Sequence, residues 1–480
     1  MIRRNIAKTA KNEPQKSSPA TPPPLRALFS STEVRRRFQK LFSVSLVLCW
    51  LKECPGTFHE RLFTPLITLW YLMFQRLGDN PTLSHILADA HLGGADALSP
   101  RGKPLSKRIK STATTSFSDA RQRLPLKLLQ RALAHSAQEI RSWAQNTRWQ
   151  EWNVVLLDGS TVRLRSLGDI PEVFPPHKSS HGLTYWCLMR VVVGFCLNTG
   201  VTVATAMGAC AISEQALSLP LLAQLGLKSL VVADRNFGIF SVVQAALDAS
   251  AQVVVRLTQS RARKLARDNG FALKEPLDCR VNWTASRHDK VNPESTRMTV
   301  AGRLLALPIH RPGFRPQVIY LFTTLTDSSL YTTQALLDLY GQRWQVELNL
   351  RFVKTQMELG ALECKSAEMA QKEWVAGLLA YNVIRSLMVA TASQAGLSIW
   401  TLSFTRTRQF LGKWIQTHGW RPQRAEALWD RLLQLVAQCR QPTRRKPRPP
   451  EPRAKRYFKQ DFPALKGSRA HARKKMQMIS

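Results

Sequence analysis

The sequence predicts an α/β fold: a mixed sheet covered by helices, interrupted by a β-rich insertion, with a helical region before it and helices and a basic tail after it. Three observations predict this. First, the texture changes at Trp152, where "WNVVLLDGSTVRL" is a continuous apolar run of the kind that forms a buried strand, with Asp-Gly as its exit turn. Second, two β-rich runs follow, "YWCLMRVVVGFCL" and "VTVATAMGACA", separated by "NTG", a hairpin signal. Third, helix and strand then alternate. "SEQALSLPLLAQLG" reads as a helix opened by Ser213, "SLVVADRNFG" as a short strand ending in an acid, "FSVVQAALDAS" as a helix and "AQVVVRLT" as a strand. Hairpin strands followed by such alternation make a mixed sheet with helices packed on it.

The remaining elements follow in order. Residues 1–30, rich in Pro, Ser and Lys, read as a disordered basic arm. From 31 to 148 apolar residues recur at threes and fours, and a helical domain is expected. Within it "LFSVSLVLCWL" (41–51) fits a buried helix, and Ser118 is the expected N-cap in "TSFSDARQRLPLKLLQRALAHSAQEI". Such a basic helical domain could lie against DNA, and a plain packing domain fits equally. The expected core comprises 149–257 and 329–372. Between them, 258–328 mixes β-like pieces ("CRVNWTAS", "RMTVAGRLLAL", "PQVIYLFTTL") with many Arg and Pro residues, and reads as a β-rich insertion. Helix returns at 331–358, apolar helices fill 373–440, and 441–480 is a Pro-rich basic tail suited to an electrostatic tether.

The charge bounds the partners. Against 69 Lys and Arg stand 32 Asp and Glu, a formal net charge of +37. So much positive charge repels itself unless a polyanion is near, which makes nucleic acid the first partner to consider. An anionic membrane surface and simple charging for solubility are the weaker alternatives. No membrane span is expected, since the 41–51 run is shorter than the ~20 residues a bilayer requires. The N-terminus lacks the apolar stretch of a secretory signal. Eight scattered cysteines, with no C-x-x-C pair, suit buried reduced thiols in a cytoplasmic protein better than disulfides or a zinc site.

Two carboxylates stand where strands are expected to end, Asp158 in "LLDGS" and Asp234 in "VADRN". In open α/β sheets ligands gather outside the carboxyl ends of strands, so both acids could share one pocket, although each alone is more often a turn residue. The stretch "LYGQRWQVELNLRFVKTQ" (339–356) changes the weighing. On one continuous helix, Arg343, Glu347 and Lys354 fall within roughly 60° of Tyr340, with Arg351 about 20° to its other side. Leu337, Trp344 and Leu348 form an adjacent stripe expected to pack on the sheet. One carboxylate in a row of cations and a tyrosine suits a phosphate chain, with the cations holding phosphates and the acid meeting a metal. Magnesium takes hard oxygen ligands. Two such ions about 3.5–4 Å apart serve in-line displacement at phosphorus.

Together, Asp158 in "DGSTV", Asp234 in "ADRNF" and Tyr340, Arg343, Glu347 and Lys354 in Y-x2-R-x3-E-x6-K resemble the bacterial DDE transposases of the insertion-sequence-4 family. The resemblance covers roughly 115–460 and implies a ribonuclease-H-like core with its β-rich insertion between the second Asp and the Glu. It implies that Asp158, Asp234 and Glu347 form a catalytic triad binding two Mg²⁺ ions, for which Mn²⁺ substitutes. It implies that Tyr340, Arg343 and Lys354 hold phosphates at the element's end, and Arg235 matches the pattern with a less defined role. The expected partner is double-stranded DNA, both element ends and target, and the expected assembly is a homo-oligomer, a dimer formed on DNA, with no membrane. Some relatives cut through a hairpin and stack a Trp on a flipped base. Trp283 lies in the insertion, but a core role for it is favoured.

His177 and His181 have i, i+4 spacing but stand in "PPHKSSHG", a loop by composition and a poor zinc pair. Arg256 in "VVVRL" could be aimed at DNA, although a surface Arg at a strand end is the default. Two other functions remain open at this point: a metal-dependent nuclease on the same core, and a non-catalytic DNA-binding descendant.

Overall fold

The computed structural model describes residues 41–55, 62–77, 82–99, 103–144, 148–179, 182–287, 289, 295–309, 317–418 and 426–441, with a few single positions nearer the C-terminus. The expected basic arm lies outside the described residues, as does almost all of the basic tail.

Strand β1 (Asn153–Leu164) is the axis of a ten-stranded mixed sheet. On one side it pairs antiparallel with β3 (Gly182–Cys196), which pairs with β2 (Pro176–Ser179) and β4 (Thr202–Ala209). On the other it pairs parallel with β5 (Ser229–Ala233), and β5 with β6 (Gln252–Leu257). The apolar runs of these three parallel strands, Val154–Leu157, Leu230–Ala233 and Val253–Val255, are almost completely buried, as strands covered on both faces must be. The "NTG" turn joins β3 to β4, with Gly200 at φ +69°, a value that costs glycine little. Beyond β6 the insertion strands β7 (Leu277–Thr284), β8 (Thr299–Ile309) and β9 (Gln317–Thr323) continue the same sheet through antiparallel β6–β9 pairing. The short β10 (Ala361–Leu362) returns to the far end of β1.

Several local expectations differ from what forms. Strand β1 does not turn at Asp158-Gly159 but runs on to Leu164, because β3 stays paired along it. The segment after β6 opens with a helix, Gln259–Asp268, capped by Thr258 and burying Ala262, Leu265 and Ala266, before any strand. Ser118 does not cap a helix but lies inside Thr115–Arg123, whose N-cap position is Thr114, and Pro125 separates this helix from the next, Leu126–Ser142. The Val44–Lys52 helix forms as expected, capped by Ser43.

The 29-residue helix Ala367–Ala395 links the layers. By length and composition it would cross a membrane, yet its apolar stretch is entirely buried within the fold. Asn382 accepts from the Thr202 N–H at 2.8 Å and donates to the Thr202 carbonyl at 3.0 Å, so one side chain satisfies main-chain groups of β4. On its other side the helix meets the N-terminal helices. Glu373 receives both Arg76, at 2.8 Å, and Arg121, and the Asn382 amide reaches Ser136. Arg385, 1% exposed, donates to Asn349 at 2.6 Å and lies against the rings of Phe352, Tyr381, Trp400 and Phe404. It thereby ties the 339–356 stretch to the core helix.

Candidate active site

Parallel pairing aligns Leu157 with Ala233 and Ala233 with Val255. One residue further along, Asp158, Asp234 and Arg256 therefore stand abreast at the carboxyl ends of β5 and β6, where an open α/β sheet collects ligands. Asp158 is part of a strand that continues, and Asp234 begins a turn. Burial above all, with the charges of Asp234 and Glu214 adding to it and the Gly159 N–H and Arg343 opposing it, leaves the Asp158 carboxyl pushed up to about 6. Gly159 N donates to Asp158 Oδ1 at 2.9 Å, and Asn236 N donates to Asp234 Oδ1 at 2.8 Å. Each acid is thus aimed by a neighbouring main-chain amide.

The 339–356 stretch is not the single helix expected. An α-helix, Thr333–Gly341, tightens into a 3₁₀ turn at Gln342–Trp344, resumes at Gln345–Arg351 and widens into a π turn at Phe352–Gln356. Such irregular turns often mark functional positions. Nor is Leu337, Trp344 and Leu348 the packed stripe. Trp344 is 60% exposed, while Leu336, Leu339, Val346, Leu350 and Val353 are buried, because the 3₁₀ turn rotates Trp344 outward.

The polar row nevertheless faces the acids. Arg343 donates to Glu347 Oε1 at 3.0 Å. Burial works against the Arg343 charge, but Tyr340, Glu347 and Asp158 outweigh it and hold the guanidinium above its usual value. Tyr340 is buried, which raises its hydroxyl, and the nearby charges of Arg343 and Arg256 oppose that rise while Asp234 adds to it. Lys354 Nζ donates to Ser160 Oγ at 2.9 Å, two residues along β1 from Asp158 and on the same face. Burial, then the charge of Arg163, pulls the Lys354 ammonium below its usual range. Arg235 is exposed, and its carbonyl accepts from Arg261.

Asp158 and Asp234 are thus brought side by side, and Glu347 joins them through Arg343. Among the described residues no three acid, His or Cys side chains are already gathered as a cation cage. Trp283 packs edge-on against Phe240 and Phe322 in the sheet's aromatic cluster. His177 is exposed on the edge strand β2, and His181 lies outside the described residues. Two neighbours of the acids, Glu214 and Asn236, went unnoticed in the sequence. Nothing in the sequence marks them, since Glu214 is one acid in the first turn after Ser213 and Asn236 one residue of the turn after Asp234. Arg256, set aside there as a surface residue, is half-buried against Tyr340.

Residues 149–383 match the family model described as the transposase DDE domain. The matched span contains Asp158 within β1, Asp234 just past β5 and Glu347 on the signature stretch. Over 409 residues the chain is 25% identical to the transposase InsG for insertion sequence element IS4 of Escherichia coli (strain K12), covering 83% of this chain and 86% of that one. The two matches together support a DDE transposase of the insertion-sequence-4 kind. A cryo-EM structure of the piggyBac transposase synaptic complex with hairpin DNA matches 86% of each chain at 10% identity and a TM-score of 0.40, a likeness too loose to bear on the fold.

Proposed function

We propose that this chain is a DNA transposase that binds the ends of an insertion sequence, cleaves them by metal-dependent phosphodiester hydrolysis and joins the freed 3′-OH ends to target DNA. The observation that carries the reading is the register that sets Asp158 beside Asp234, with the Arg343–Glu347 pair closing over them. The order β4-β3-β1-β5-β6, an antiparallel meander followed by two parallel strands, supports a ribonuclease-H-like core built from 149–257 and 329–372. The segment 258–328 is then the insertion that extends its sheet.

Two neighbouring carboxylates suit magnesium, which usually takes one or two together with waters and phosphate oxygens rather than a complete protein cage. Asp158 and Asp234 would hold it, with Glu347 completing the set for a second ion. The bound Mg²⁺, or Mn²⁺ in its place, would supply Lewis-acid activation at phosphorus. Glu347 is 38% exposed on its side chain, so a rotamer change that releases it from Arg343 meets little packing resistance. Arg343, once released, remains beside Asp158 as a phosphate partner, while Tyr340, Lys354 and Arg235 line the approach. Arg256, close to Tyr340, adds positive charge at the same place. Double-stranded DNA, element ends and target alike, is the partner that the +37 charge favours. Two ends must meet for joining, so a dimer assembled on DNA is expected.

Glu347→Gln tests the reading. Mg²⁺-dependent end cleavage should vanish while DNA binding stays nearly intact, and retained cleavage would contradict it. Pre-cut ends offered to the wild-type chain should be joined to a target duplex. Hydrolysis without joining would mark a nuclease instead.

A further inference from the structure

Glu214 stands in the first turn of the helix Glu214–Leu222, outside the three proposed acids. An acid there ordinarily needs no explanation beyond the helix dipole. Its partners point elsewhere. Asn236 Nδ2 donates to Glu214 Oε2 at 2.7 Å, and the Asn236 main-chain N–H donates to Asp234 Oδ1 at 2.8 Å. Gln215, the next residue, donates through Nε2 to Asn236 Oδ1 at 2.6 Å and to the Asn236 carbonyl at 3.0 Å. Two consecutive residues of one helix therefore grip the asparagine whose amide aims Asp234. The other flank of the Glu214 carboxylate meets β1. A Cβ on Gly159 would come within 2.2 Å of Glu214 Cδ, so glycine directly after Asp158 is what leaves room for it. Glu214 is wedged between the strand that carries Asp158 and the turn that carries Asp234.

We propose that Glu214 is a positioning residue of the reaction centre: through Asn236 it fixes the direction of the Asp234 carboxylate toward a divalent cation. The inference rests on the metal-dependent reading above and adds a residue to it. Groups that orient a metal ligand from behind typically contribute about 10–100-fold to metal affinity or activity. If Glu214 acts through Asn236, removing both costs no more than removing either one.

Mn²⁺ titration of the full-length chain, followed by Mn²⁺ electron paramagnetic resonance, tests this alongside end cleavage. Glu214→Ala and Asn236→Ala should each weaken Mn²⁺ binding about 10–100-fold. The double variant should match the weaker single one. Glu214→Gln keeps an acceptor for the Asn236 amide and should recover most of the loss. Gly159→Ala, which displaces Glu214 without altering it, should reproduce the loss, and carries the test if Glu214→Ala fails to fold. Unchanged Mn²⁺ binding in Glu214→Ala, or losses that multiply in the double variant, would overturn the proposal. A wild-type chain that neither binds Mn²⁺ nor cleaves would instead overturn the functional reading, so the two failures are distinct.

Discussion

Arg343 holds Glu347 at 3.0 Å while its charge also lowers the Asp158 carboxyl, so one guanidinium joins the third acid to the other two. The guanidinium stands between Glu347 and the aspartates as a positive charge of the protein's own. Arg343 neutralises part of the charge that a metal would otherwise neutralise. Replacing it with Gln should therefore divide two properties. Mn²⁺ affinity should rise several-fold, because a competing cation has gone, the effect being held down by solvent screening at Glu347, whose side chain is 38% exposed. Cleavage at saturating Mn²⁺ should fall about 100-fold, because a phosphate partner is lost. Affinity and turnover falling together would show that Arg343 merely supports the fold.

The buried position of Asp158 sets a pH dependence whose sign is fixed. Its carboxyl titrates near 6 in the folded chain, against about 3.9 in an unfolded one. Ionising it therefore destabilises the fold, with no effect below about pH 4, a growing one between 4 and 6, and the full effect above 6. In chelator, Asp158→Asn should raise the melting temperature at pH 7.5 and leave it unchanged at pH 3.5. Divalent cation binding requires the ionised form, so wild-type Mn²⁺ affinity should fall about fivefold from pH 6 to pH 5. An Asp158→Asn chain less stable than wild type at pH 7.5 would contradict the assignment.

Arg385 is the structural counterpart of that site. Fully buried among four aromatic rings and bonded to Asn349, it locks the signature stretch onto the Ala367–Ala395 helix. Arg385→Ala should lower stability by about 3 kcal/mol through the cavity and the stranded Asn349 amide. Urea unfolding measures this, and a change below about 0.5 kcal/mol, as for a surface site, would refute it.

Binding to duplex DNA should weaken steeply with salt. If about eight phosphates are neutralised, log affinity against log salt concentration should have a slope near −7. Glu347→Gln should leave that slope unchanged, whereas Lys354→Ala should make it about one unit shallower. A flat salt response in filter binding or fluorescence anisotropy would separate the +37 charge from DNA recognition.

The parts of this fold legible in the sequence were those written in continuous local pattern. The apolar runs of β1, β5 and β6, the "NTG" hairpin and the Ser213 cap all formed as expected, since each depends on neighbours in sequence. Asp158 and Asp234 were found because an apolar run meeting an acid is visible in sequence, although only Asp234 follows a strand's end and β1 runs on past Asp158. Less legible was anything decided across the fold. Residues 342–344 and 352–356 leave α-helical geometry, which periodicity counted at 3.6 residues per turn cannot detect, and Trp344 consequently faces solvent. Arg-rich 259–268 looked unlike a helix because its apolar face is only Ala262, Leu265 and Ala266. Glu214 and Asn236 reach the acids from separate segments, and only the packed structure joins them.

The most direct test is the position of manganese in a structure of the full-length chain bound to an element end, read from its anomalous scattering. The account predicts two peaks about 3.5–4 Å apart. One should be ligated by Asp158 and Asp234, and the other by Asp158 and a Glu347 that has left Arg343. A single peak away from the aspartates, or Glu347 still paired with Arg343 on bound DNA, would contradict it.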